Sequence, residues 1–150
     1  MSDAPQPLRV LFLCTGNSAR SQMAEALLRH ESKGRIEVHS AGTEPQPEIH
    51  PMALQALSEL YRLEMTGQHP KSVEPFIGQP FDYVITVCDR AAETCPVFPG
   101  APQRIHWGFP DPAAADGSED ARQRAFNRTA SELLARIRVW LSLPGIRSRL

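Results

Sequence analysis

The sequence has no long apolar run. No stretch approaches the roughly 20 residues that cross a bilayer, so a membrane-embedded protein is not expected. Charge of one sign is also missing: 16 Lys and Arg face 17 Asp and Glu, and without a basic footprint no nucleic-acid partner is expected. The opening Met-Ser-Asp-Ala-Pro-Gln-Pro has neither the basic start nor the apolar centre of a secretion signal, which leads us to expect a cytoplasmic setting. Cysteine is scarce. Three is an odd number, which argues against a static disulfide framework and for thiol chemistry. The five histidines show no metal-ligand spacing, so no metal is predicted. At 150 residues the chain is expected to be a single domain, 1–150, with a substantial core and flexible tails at 1–7 and 145–150.

What is present is concentrated between Leu8 and Ser21. An apolar run, Val10 to Leu13, ends in Cys14, and Arg20 follows after five residues. Beyond it Met23, Ala26, Leu27 and His30 recur at the spacing of one helical face. Strand, tight loop and helix in that order turn backbone N–H groups inward above a helix N-terminus, which makes an anion site. The residue types suit that geometry. Gly16 and Asn17 tolerate unusual backbone angles, and Thr15, Ser18 and Ala19 are small. Arg20 supplies a planar fork matched to a tetrahedral oxyanion. Cys14 should ionise below the ordinary thiol value of about 8.5, and the Ser21 hydroxyl can add a hydrogen bond to its sulfur. The competing reading is a buried cysteine closing a strand, with Arg20 merely solvated.

Further strands are expected at 36–40, 82–88 and 103–107, and helices at about 19–32, 52–61 and 118–143, with a helical turn near 73–77. The stretches 43–51, 89–103 and 108–116 read as loops. Ser118 is a plausible N-cap for the last helix, and Pro144-Gly145 its stop. Strands alternating with helices predict a single three-layer α/β/α domain, with a four-stranded parallel sheet in the order 2-1-3-4. Ligands in such folds bind beyond the carboxyl ends of the strands. Cys14, Cys88 and Asp111 all fall at those ends.

Cys88 and Cys95 flank a six-residue segment. Were it helical, their Cα atoms would lie about 10.5 Å apart along the axis, beyond the 4.4–6.8 Å or so of a disulfide. Joining them requires unwinding, which Pro96, Pro99 and Gly100 make feasible. Together with Cys14 they fit a thiol–disulfide relay; singly, Cys88 reads as a small buried hydrophobe and Cys95 as a loop thiol. Asp111, between Pro110 and Pro112, reads either as a general acid or as an Asx-turn residue.

The motif Cys14-Thr-Gly-Asn-Ser-Ala-Arg20-Ser21 resembles the phosphate loop of the low-molecular-weight protein tyrosine phosphatase superfamily. Val87-Cys88-Asp89, Cys95-Pro96 and His106-Trp-Gly-Phe-Pro-Asp111-Pro112 resemble the arsenate reductases built on that fold. The resemblance runs from Leu8 to about Leu143. It implies substrate binding by Thr15 to Ser21 and catalysis by Cys14, Arg20, Cys88, Cys95 and Asp111. No bound cofactor is implied, only an external reductant, thioredoxin or else glutaredoxin with glutathione. Some members hold a potassium ion beside the loop, where Asn17 and Glu25 stand here; Lys71 offers a charge of its own instead. The alternatives are a phosphatase using Cys14 and Asp111, and a non-enzymatic redox or anion sensor.

Overall fold

The computed structural model describes residues 6–150. Most of the tail expected at 1–7 therefore lies outside the described residues. Four strands, β1 (Arg9–Cys14), β2 (Glu37–Gly42), β3 (Tyr83–Thr86) and β4 (Gln103–His106), form one parallel sheet in the order β2-β1-β3-β4. Val10 to Leu13 are fully buried, as the central strand of a sheet covered on both faces must be. The helices are α1 (Arg20–Glu31), α2 (Pro51–Tyr61), α3 (Asp89–Glu93), α4 (Glu119–Ser142) and α5 (Pro144–Arg147). This is the expected α/β architecture and strand order.

Strand register sorts the two faces. Val10 pairs with Val38 and Phe12 with Ser40, so these side chains point the same way. On that face α1 and α4 pack together, and Phe12, Trp107 and Trp140 meet in series, tilted and then edge-on, with ring centroids 5.9 and 6.4 Å apart. Both tryptophans are packing residues. The opposite face carries a second ring cluster, in which Phe81 meets Phe76 at 6.1 Å and Phe98 at 6.0 Å.

The long helix α4 begins where the sequence puts it: Ser118 accepts the Ala121 N–H at 3.0 Å, with Glu119 and Asp120 in the first turn. Two segments differ from expectation. Residues 89–103 are not loop throughout: Cys88 is extended, and α3 starts at once, with Asp89 at its positive end and Ala91 buried. Nor do residues 145–150 simply trail off. Pro144 opens a helical turn that buries Ile146, and Arg149 donates to the Gln6 carbonyl at 3.2 Å. Arg136 and Arg138 also have partners: Arg136 lies over Trp107 and Phe109, and Arg138 pairs with Glu31 at 2.7 Å.

Candidate active site

The sheet order brings the ends of β1, β3 and β4 side by side, and the loop after Cys14 rises between them. That loop is held from behind by its backbone carbonyls. Those of Cys14, Thr15, Gly16 and Ser18 accept the N–H groups of Thr43, Glu44, Gln46 and His50, at 3.2, 2.9, 2.9 and 2.8 Å. Turning the carbonyls outward turns the N–H groups the other way, towards the cleft. Ala19, at the N-cap of α1, contributes no side-chain acceptor, so the first helical turn keeps its donors for an anion. The strap at 43–50 could not be read from sequence, because a backbone donor leaves no side-chain signature.

Close approach makes one glycine obligatory. A Cβ on Gly42 would stand 2.5 Å from the Thr15 carbonyl oxygen and 3.0 Å from Asn17 Cβ. Gly42→Ala should therefore destabilise the protein by about 1–3 kcal/mol, read from chemical denaturation, and weaken anion binding with it.

Asn17 takes a left-handed backbone, φ 51°, and is fully buried. Its Nδ2 donates to Ser21 Oγ at 2.8 Å and Ser40 Oγ at 3.0 Å, and its Oδ1 accepts from Gln22 and the Lys71 N–H, both at 3.0 Å. The side chains of Asn17 and Ser21 thus sit behind the loop, whereas Thr15, Gly16, Ser18, Ala19 and Arg20 line the cleft with Cys14. Ser40 passes the network on to the buried Glu25 at 2.7 Å, which Arg29 meets at 2.7 Å and Lys71 at 3.6 Å. Burial pulls the Lys71 pKa down against the opposing pull of Glu25. Lys71 nonetheless stands paired with that carboxylate. Among the described residues no group of three His, Cys, Asp or Glu is gathered for a metal.

The cleft measures about 610 Å³. Cys14 lines its floor, and the buried Cys88 lies beside it, close enough for each sulfur to alter the other's ionisation. Cys14 also accepts the Asn17 N–H at 3.2 Å, and Cys88 lies 3.4 Å from the Thr15 hydroxyl. The contact raises the Cys14 pKa, with burial adding to it, and the donors Ser21 and Asn17 do not reverse this. Cys88 is drawn down to about 5, chiefly by the same contact, with help from Thr15, the Ala91 N–H and Arg20. The low ionisation expected of Cys14 alone is thus set by the pair: two buried sulfurs in contact do not both ionise, and the contact disfavours the Cys14 thiolate while favouring that of Cys88. The opposed shifts lead us to expect one proton on the pair at neutral pH. Absorbance at 240 nm should report one thiolate per chain at pH 7, fading as pH falls through about 5.

Arg20 donates to the Phe109 carbonyl at 2.8 Å, and its other terminal nitrogen is 4.0 Å from Asp111 Oδ2. Asp111 Oδ1 accepts the Ala113 N–H at 3.0 Å, the Asx turn. One oxygen holds the turn and the other faces Arg20. Cys95 stands apart. It is half-buried beyond α3, its sulfur nearest the Pro96 carbonyl at 3.6 Å, and burial pushes its thiol up against the pull of Arg104. Asp89 and Arg90 tie α3 down through His106 at 2.9 Å and Glu44 at 3.0 Å.

A parallel sheet with a cysteine, an N–H cradle and an arginine at its carboxyl edge defines a thiol-based, oxyanion-handling α/β protein. The sequence profile of the family described as low molecular weight phosphotyrosine protein phosphatase matches residues 9–144, and the chain belongs to that family. An arsenate reductase of Shouchella clausii is 40% identical over 129 residues, covering 86% of this chain and 91% of the relative. Among solved structures, an arsenate reductase in its phosphate-binding state superposes with TM-score 0.71 at 26% identity, covering 90% of this chain and 97% of that one. A thioredoxin-dependent arsenate reductase of Corynebacterium glutamicum gives 0.64 at 32% identity, covering 93% of this chain and 65% of that one. No described helix is long and apolar enough to cross a membrane.

Proposed function

We propose that the protein is a cytoplasmic arsenate reductase that uses its three cysteines in sequence and is regenerated by an external dithiol protein of the thioredoxin kind. The observation that carries this reading is a second buried thiol, Cys88, beside Cys14 and 3.4 Å from the Thr15 hydroxyl of the oxyanion loop. A phosphatase has no use for it there.

Arsenate enters the N–H cradle, and its charge draws Arg20 off the Phe109 carbonyl. The shared proton of the pair rests on Cys88 while the Cys14 sulfur attacks arsenic. Asp111 gives a proton to the departing hydroxyl, which leaves as water. Cys88, its proton passing to an oxygen of the departing arsenic oxyanion, attacks the Cys14 sulfur. The electrons of the sulfur–arsenic bond pass to arsenic, releasing arsenite and leaving a Cys14–Cys88 disulfide. Cys95 then attacks Cys88, freeing the Cys14 thiolate and forming Cys88–Cys95 as α3 unwinds. The external dithiol reduces that bond.

Cys14, Arg20 and Asp111 also suffice to hydrolyse a phosphomonoester, and the family match supports such a side activity. The deciding assay is steady-state arsenate reduction with thioredoxin, its reductase and NADPH, repeated with glutathione and glutaredoxin. Turnover with the first set is expected. A protein that oxidises and re-reduces its thiols without consuming arsenate would instead be a sensor.

A further inference from the structure

His50 stands in the wall of the same cleft as Cys14, Arg20 and Asp111, yet the steps above give it no part. Its ring is fixed. Nδ1 accepts the Met52 N–H at 3.1 Å as the N-cap of α2, and the ring lies against the buried Phe126 with centroids 4.5 Å apart. Its own N–H holds the Ser18 carbonyl of the loop at 2.8 Å. With Nδ1 used as an acceptor, the neutral imidazole carries its proton on Nε2. Burial and the nearby Arg122 push the His50 pKa down against the pull of Asp111, and a proton on Nδ1 would face the Met52 N–H. The ring is therefore an uncharged donor, and its Nε2–H has no acceptor among the described residues.

We propose that His50 is a further substrate-binding residue, whose Nε2–H donates to an outer oxygen of the tetrahedral oxyanion held above Cys14, on the side of Asp111. An uncharged donor suits that place, because Arg20 already supplies the cation facing Asp111 and the imidazole adds a hydrogen bond without adding charge. It also couples the anion to the loop, because the same residue anchors Ser18.

This inference rests on the oxyanion reading, so its test is a binding measurement that involves no turnover. The probe is inorganic phosphate, titrated into the reduced full-length chain by calorimetry. His50→Asn keeps an effective N-cap and removes the ring. The variant loses the ring's packing on Phe126 and should unfold at a somewhat lower Tm, but at a temperature where both chains are folded it should bind phosphate about fivefold more weakly, the worth of one hydrogen bond. In the wild type, the ¹⁵N signal of His50 Nε2 should move as phosphate is added. Wild-type affinity in the Asn variant, or an Nε2 signal indifferent to phosphate, overturns this role and leaves the arsenate reading standing. A wild-type chain with no affinity for phosphate overturns both.

Discussion

Cys88→Ser is expected to abolish catalytic arsenate reduction while sparing hydrolysis of p-nitrophenyl phosphate. Serine keeps roughly the size of the residue. Its oxygen cannot attack a sulfur to form a disulfide, so the arsenylated Cys14 has no route to arsenite. Phosphate-ester cleavage needs only Cys14, Arg20 and Asp111 and should persist. It should also extend to lower pH. Without the second sulfur, the contact that most raises the Cys14 pKa is gone, and Cys14 becomes the sole thiolate at the floor of the loop. Parallel assays of the two activities on one preparation check this, and equal loss of both would show that Cys88 only packs the floor.

Arg20→Ala should lower kcat/KM for both substrates by about 10²–10³-fold, the usual cost of removing one oxyanion-stabilising group from a water-excluded site. Arg20 does more than bind. Through the Phe109 carbonyl at 2.8 Å and Asp111 at 4.0 Å it connects the loop to the segment that carries the acid. Lysine restores charge but not the planar fork, so Arg20→Lys should fall between alanine and wild type. A lysine variant as poor as alanine would place the weight on geometry, and one as good as wild type would place it on charge alone.

Much of this was legible from residue order. The run from Val10 to Cys14 followed by Gly16 and Asn17 forces a strand into a tight loop, and alternating strands and helices fix which edges carry Cys14, Cys88 and Asp111. What escaped sequence reasoning depends on contacts between distant backbones. Gly42 matters only because the Thr15 carbonyl passes 2.5 Å from where its Cβ would be. His50 sits in a proline-flanked stretch that reads as featureless until its N–H is seen on Ser18. The ionisation of Cys14 is not legible from its own loop, because a second sulfur from the end of the neighbouring strand lies beside it and disfavours its thiolate. Residues 89–93 looked like loop because one short helix between two cysteines and two nearby prolines has too few residues to show a period. Ile146 anchors a turn that Pro144-Gly145 would seem to rule out, since proline suits the first turn of a new helix as well as it ends an old one.

The passage of oxidation from Cys14 to Cys88 and on to Cys95 is tested most directly by disulfide mapping after one equivalent of arsenate is added to the reduced protein without a reductant. The wild type should release one equivalent of arsenite and yield a Cys88–Cys95 peptide pair with Cys14 free. Cys95→Ser should also release one equivalent but stop with Cys14 joined to Cys88. Arsenite formed while all three thiols stay alkylatable, or a Cys95→Ser variant that cycles freely with thioredoxin, would contradict it.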